Sequence, residues 1–239
     1  MTDLSAPDVR DDLVTASHIL VQKNILDGFG HVSARDPDNP DTFLLSRNLA
    51  PGLVQREDIM RLDFDGNDVE DSGRRSFLER FIHASIYRHR PDVNAVVHSH
   101  TASVLPFSIT KAATLEPVMH MSGFLGPEIP VYEVRDHGHE GCDMLIRNST
   151  MGDELARSLG QEAVVLMRGH GMTVVAADVR LAVFRAIYTE VNARVQAAAS
   201  SMGAYVALTP EEARAADETN SGQNRRAWAL WEKEVARAP

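Results

Sequence analysis

Residues 95–100 read Ala-Val-Val-His-Ser-His, a run of small and β-branched apolar residues that ends in two histidines, His98 and His100. In a strand, residues two apart share a face, so both imidazoles converge on one point; on a helix they would diverge by roughly 200°. A second apolar run, Glu-Ala-Val-Val-Leu-Met-Arg-Gly-His-Gly over 162–171, also ends in a histidine, His170, set between glycines that let the backbone approach a neighbour. Three neutral imidazoles with an open coordination position are a recurrent catalytic arrangement for zinc and related divalent ions. Taken singly, each of these histidines reads as a hydrogen-bonded or partly exposed strand end; only together do they point to a metal.

An acidic fourth group is available in Glu79, within Ser-Phe-Leu-Glu-Arg-Phe-Ile-His-Ala-Ser-Ile-Tyr. On its own it reads first as a solvated residue at the start of an amphipathic helix, or as a partner of the helix dipole. Beside a metal it becomes either a ligand or a carboxyl tuned for proton transfer.

The elements that must position these groups follow from periodicity. Apolar positions from Asp8 to Lys23 have helical spacing, and Ile-Leu-Asp-Gly-Phe-Gly stops that helix. His-Val-Ser-Ala-Arg-Asp and Thr-Phe-Leu-Leu-Ser read as a hairpin across Pro-Asp-Asn-Pro-Asp, and the segment from Ile59 alternates before an Asp-Gly-Asn turn. A helix is expected over 77–90, ended by Pro91, followed by a central strand to His100 and then a helix that Thr101 or Ser103 could cap. Pro-Glu-Ile-Pro-Val-Tyr-Glu-Val reads as a strand, the segment from Thr150 as a helix stopped by Gly160, and the stretches before and after His170 as two further strands. A long helical pattern runs from Val179 to Gly203, and residues 209–239 form a charged helical tail with Trp228 and Trp231 on adjacent turns, docked on the body or on a neighbouring subunit. The sum is a single α/β domain over residues 1–239 with a mixed or antiparallel sheet flanked by helices.

Composition narrows the function classes. With 44% hydrophobic and 24% charged residues the chain can build a sizeable core, and a net charge of −10 disfavours nucleic-acid or anionic-membrane partners, which require clustered Lys and Arg. One cysteine, Cys142, leaves no intramolecular disulfide framework and fits a reducing compartment. The first twenty residues lack a basic segment followed by an apolar run, and no stretch approaches the roughly 20 apolar residues that span a bilayer. The expectation is a cytoplasmic protein.

The order Leu-Glu-Arg-Phe-Ile-His-Ala-Ser-Ile-Tyr, then Val-Val-His-Ser-His-Thr, then, some seventy residues later, Met-Arg-Gly-His-Gly-Met resembles the class II aldolase/adducin family, from the first helix to about residue 200. The resemblance implies an α/β/α sandwich around a largely antiparallel sheet, a homo-oligomer, usually a cyclic tetramer, with sites at subunit contacts, and one divalent metal ion per subunit held by Glu79, His98, His100 and His170. Manganese or zinc comes first for such a donor set, iron or cobalt next.

The chain departs from the sugar-phosphate members of that family. His31 stands where they carry an asparagine in a Gly-Asn-x-Ser turn, and Phe77 and Leu78 replace their paired serines, so a phosphate cradle is not expected. Arg74, Arg75 and Ser76 could instead meet a carboxylate, the arginines bidentately, although each arginine reads equally as a solvated loop residue. Ser46, Arg47, His31 and Ser33 are further pocket candidates. The pattern is most similar to the family's non-phosphorylated branch, decarboxylases of hydroxylated aromatic dicarboxylates such as 3-hydroxy-2-methylpyridine-4,5-dicarboxylate and dihydroxyphthalate. The implied activity is a metal-dependent carbon–carbon lyase acting on a small carboxylated substrate, with Glu79 handling the proton and His31 or Tyr188 assisting. Retro-aldol cleavage of a non-phosphorylated hydroxy-keto acid and a non-catalytic adducin-like scaffold are the alternatives.

Overall fold

The computed structural model describes residues 8–237, so the two ends of the expected 1–239 domain lie outside the described residues. In chain order the elements are α1 (Val9–Gln22), β1 (His31–Arg35), β2 (Thr42–Ser46), β3 (Ile59–Asp63), α2 (Arg80–His89), β4 (Ala95–Ser99), the one-turn α3 (Leu105–Ile109), β5 (Val131–Tyr132), α4 (Ser149–Leu159), β6 (Val164–Met167), β7 (Gly171–Ala176), α5 (Val179–Met202), α6 (Pro210–Ser221) and α7 (Asn224–Val235). The strands form one sheet in the order β3-β2-β1-β4-β7-β6-β5, antiparallel throughout except for the edge pair β5 and β6. None of the described helices is long and apolar enough to cross a membrane.

Strand alternation divides the core in two. Val32, Ala34, Leu44, Ala95, Val97, Val164, Leu166, Met172 and Val174 point to one face, where α1, α5 and α7 cover them. Phe43, Leu45, Val96, Val165, Met167 and Val175 point to the other, beneath α2 and α4. The result is the three-layer α/β/α sandwich expected, and the even-numbered residues of β4, His98 among them, belong to the α2 face. Trp228 and Trp231 of the tail are buried in the first of these cores, so α7 docks on the body of its own chain.

Several local expectations change. The helix expected from residue 77 begins at Arg80, which leaves Glu79 as the residue before the first turn, with φ −90° and ψ 18° and no capping bond from its side chain. Neither Thr101 nor Ser103 caps α3. Val104 occupies that position, and the Thr101 hydroxyl donates to the Ile25 carbonyl instead. The strand expected around 127–134 shrinks to Val131–Tyr132 because Pro127 and Pro130 have no N–H to give a ladder.

Candidate metal centre

The central strand β4 carries His98 into the α2 face at full burial, with His31 of β1 directly opposite on one side and Thr173 of β7 on the other. His100 lies one residue beyond the end of β4 and turns back toward the same point. The loop between β6 and β7 closes in a tight turn, its His170 N–H donating to the Met167 carbonyl at 3.0 Å. Gly169 takes φ +64° there, a left-handed conformation that suits glycine. A Cβ on Gly171 would stand 2.0 Å from the Ser99 carbonyl oxygen, so glycine is what lets this turn press against the end of β4.

The side chains then converge. His100 Nε2 is 3.2 Å from both His98 Nε2 and His170 Nε2, and Glu79 Oε2 is 3.5 Å from His170 Nε2 and 3.7 Å from His98 Nε2. One ligand atom from each of the four residues lies within 4.8 Å of every other.

The far sides of the rings are fixed by hydrogen bonds. His170 Nδ1 donates to the Met144 carbonyl at 3.0 Å. The Thr173 hydroxyl is used toward Met167 Sδ, which leaves its oxygen to accept from His98 Nδ1 at 3.3 Å. With Nδ1 protonated in both rings, their Nε2 atoms present lone pairs to the shared point, and a carboxylate faces them. Crowded lone pairs of this kind repel unless a cation sits among them, and three imidazole nitrogens with one carboxylate oxygen fit a divalent ion. At Glu79, His98 and His100 the electrostatics agree. Burial alone would raise the Glu79 carboxyl, but the His170 contact, the neighbouring imidazoles and the Ile146 N–H outweigh it and hold the group at about 2. Burial pushes His98 well below the ordinary imidazole value and lowers His100, so both stay neutral and able to ligate. His170 moves up, because the Glu79 carboxylate outweighs its burial.

His31 is the one proposed pocket residue brought against this cluster, its ring centroid 5.2 Å from that of His98 and 4.6 Å from that of Phe77. The others fare differently. Ser46 shares the face of Leu44, away from His98. Arg47 is committed to Asp58 at 2.6 Å. Tyr188 packs on Phe184 of α5 in the opposite core, on the far side of the sheet from the cluster of its own chain. Arg74 donates to the Glu57 backbone carbonyl and pairs with the Glu70 carboxylate. Arg75 is exposed and Ser76 half-buried on the segment leading to Glu79, which is tied down where the Asn48 N–H donates to the Arg75 carbonyl at 2.7 Å.

Sequence reasoning missed His83 and Tyr87. Both project from α2 toward β1, where His83 bridges His31 and Ser33, and Ser33 meets Tyr87. The available signal was the spacing Glu79, His83, Tyr87, every fourth residue on one helix face, opposite the alternating His31 and Ser33 of β1. A cavity of about 900 Å³ lies at the other end of these strands among Arg35, Asp36, Asn94 and Ala177 and is lined by Arg–Asp pairs. A smaller one, about 190 Å³, opens beside His100. The chemistry belongs with the convergent donors and not with the larger void.

A sheet of this order, sandwiched between helices and carrying three histidines and a glutamate at one end, defines a class of protein. Residues 11–197 match the class II aldolase and adducin N-terminal domain, and the chain belongs to that family. It is 39% identical over 245 residues to decarboxylase tropJ of Talaromyces stipitatus, covering 93% of this chain and 92% of that protein. To 3,4-dihydroxyphthalate decarboxylase of Arthrobacter keyseri it is 28% identical over 243 residues, covering 95% and 93%. Among solved structures, an aldolase II superfamily protein from Pseudomonas syringae superposes with a TM-score of 0.79 at 24% identity over 98% of this chain and 96% of that one. L-fuculose 1-phosphate aldolase from Glaciozyma antarctica superposes at 0.76 and 22% identity, over 95% and 88%. At those identities the structural likeness speaks for the fold alone.

Proposed function

We propose that this protein is a divalent-metal-dependent carbon–carbon lyase that decarboxylates a hydroxylated aromatic or pyridine dicarboxylate. The observation that carries the reading is the set of four ligand atoms, from Glu79, His98, His100 and His170, within 4.8 Å of one another. Two features on this chain support an aromatic substrate over a sugar phosphate. Phe29 is exposed with its ring 6.3 Å from that of His100, and Phe77 packs at 4.6 Å on His31, so aromatic faces border the cluster on two sides. Both relatives are named decarboxylases, and the name of one, 3,4-dihydroxyphthalate decarboxylase, states an aromatic dicarboxylate.

His98, His100 and His170 would hold the ion, with Glu79 as a fourth ligand or as the proton carrier beside it. A bound divalent ion supplies positive charge to stabilise the oxyanion that develops on the substrate. Glu79 is ionised, so it begins as a base: Oε2 accepts the proton of the ring hydroxyl. The bond to the carboxylate then breaks, carbon dioxide leaves, and the electron pair stays on the ring carbon. Glu79 returns its proton to that carbon, and the ring oxygen regains a proton from solvent on release. The second carboxylate of the substrate faces Arg75 and Ser76 on the segment ahead of Glu79. Residues 1–239 act as one domain with 209–239 as its helical tail, and the working unit is a homo-oligomer, a tetramer first.

The test is to load the protein with manganese or zinc and offer a panel of hydroxyaromatic dicarboxylates and hydroxy-keto acids. Carbon dioxide from the first group supports the decarboxylase; pyruvate or an aldehyde from the second replaces it with retro-aldol cleavage. Light scattering of the same sample reads the subunit number.

A further inference from the structure

Behind His31 runs a chain of buried hydrogen bonds that the metal cluster does not use. His31 Nδ1 lies 2.6 Å from His83 Nε2, His83 Nδ1 lies 2.6 Å from Ser33 Oγ, and Ser33 Oγ lies 2.7 Å from the Tyr87 phenol oxygen. His83 and Ser33 have no exposed surface, Tyr87 has 1% and His31 has 5%. Every contact in such a chain holds one proton, and the protons must all point the same way along it.

The direction is set at the Tyr87 end. Among the described residues, Ser33 Oγ is the hydrogen-bond partner of that phenol. If the phenol turned its proton elsewhere, a buried donor would go unsatisfied, which biases the equilibrium by on the order of tenfold or more. With Tyr87 donating, Ser33 must give its own proton to His83 Nδ1. His83 then carries its proton on Nε2 and gives it to His31 Nδ1, so His31 can carry its proton only on Nε2. The opposite direction would strand the Tyr87 proton and leave His31 Nε2 as a fourth bare lone pair beside those of the cluster. No hydrogen bond of His31 Nε2 is found among the described residues, its residue keeps 5% exposure, and the rings around it besides His83 are those of Phe77 and His98.

We propose that Tyr87, acting through Ser33 and His83, fixes His31 in its Nε2–H form and so makes it a standing hydrogen-bond donor to an anionic oxygen, carboxylate or phenolate, of the substrate held beside the cluster. His31 binds; Tyr87, Ser33 and His83 are positioning residues. The tautomer rests on the hydrogen bonds alone, whereas the oxygen it meets rests on the decarboxylase reading. The site thereby favours ligands that present an acceptor at this point and penalises analogues that present a donor or an apolar group.

Imidazole nitrogen–proton correlation NMR on histidine-labelled, zinc-loaded protein tests this, with a His31→Gln variant to assign the signal. The expected result is a protonated Nε2 and a bare Nδ1 on His31, with a mixture of both forms in Tyr87→Phe and in Ser33→Ala. In the same variants KM for a hydroxyaromatic dicarboxylate rises in inverse proportion to the fraction left in the Nε2–H form, about twofold for an even mixture, while kcat changes less. A wild-type His31 protonated on Nδ1 overturns the proposal, and so does a tautomer unmoved by both substitutions. If Tyr87→Phe does not fold, Ser33→Ala and the wild-type spectrum decide the matter. Absence of carbon dioxide release with the expected tautomer in place overturns the decarboxylase reading and leaves the hydrogen-bond chain supported.

Discussion

Glu79 Oε1 accepts the Ile146 N–H at 3.0 Å, across 67 residues of sequence, and this bond turns the other carboxylate oxygen toward His170 and His98. The glutamate is therefore held by the segment ahead of α4, not by its own helix. Replacing it with glutamine keeps one oxygen for the Ile146 N–H but removes the negative charge and the base. Glu79→Gln should retain metal on the three imidazoles, measured by elemental analysis, and lose turnover by a factor on the order of 100 or more. Unchanged carbon dioxide release would remove Glu79 from the mechanism.

Metal binding should also be visible as stability, since an ion that binds the folded chain alone stabilises it by mass action. With the ion at a hundredfold excess over its Kd the gain is about 2.7 kcal/mol, or on the order of 5 to 10 °C in Tm for a chain of this size. Chelation should reverse that gain, and manganese or zinc should restore it. In His98→Ala and His100→Ala the shift should vanish. An equal Tm with and without chelator would argue for the metal-free scaffold.

His83 predicts a pH dependence of folding. Burial lowers its imidazole from 6.5 to about 3, with Glu79 opposing the shift, so the native protein holds it neutral. Between those two values the unfolded chain binds the extra proton. Stability is therefore complete above pH 6.5 and falls as the solution is acidified toward pH 3, with a slope approaching about 1.4 kcal/mol per pH unit from this one group. Urea unfolding of chelated protein at neutral and mildly acidic pH measures the slope. His83→Gln should flatten it by up to one proton; identical slopes in variant and wild type would assign the acid sensitivity elsewhere.

How far the sequence reached depended on whether a residue's neighbours were local. His98 and His100 share a face by strand alternation, and the glycines around His170 announce a close turn, so that much of the cluster could be read along the chain. Helical and alternating runs gave an α/β domain with a sheet flanked by helices, and the family resemblance implied its three layers. What could not be read was parity and partner across distance. Ser46 falls on the wrong face because a strand's first inward residue is set by its pairing with β1 and β3. Arg47 is claimed by Asp58, and Tyr188 by Phe184, both choices made only once the elements pack. His83 and Tyr87 look like core residues of an amphipathic helix until β1, some fifty residues earlier, supplies His31 and Ser33 as their partners.

The close approach at Gly171 gives the most local test of how the cluster is built. An alanine Cβ there would lie 2.0 Å from the Ser99 carbonyl oxygen and 3.1 Å from His100 Cα, and all of these neighbours are backbone. No rotamer change relieves the clash; β7 and the end of β4 must separate. Since His100 follows the end of β4 and His170 precedes the start of β7, that separation pulls two imidazoles apart. Gly171→Ala should therefore cost about 1–3 kcal/mol of stability in urea unfolding and weaken metal binding together. Gly28→Ala serves as the control, because nothing lies within 4 Å of the added carbon, and it should leave both quantities unchanged. A Gly171→Ala protein that unfolds early yet binds metal with wild-type affinity would show that the cluster tolerates strand separation, and the tight turn would then be a feature of folding alone.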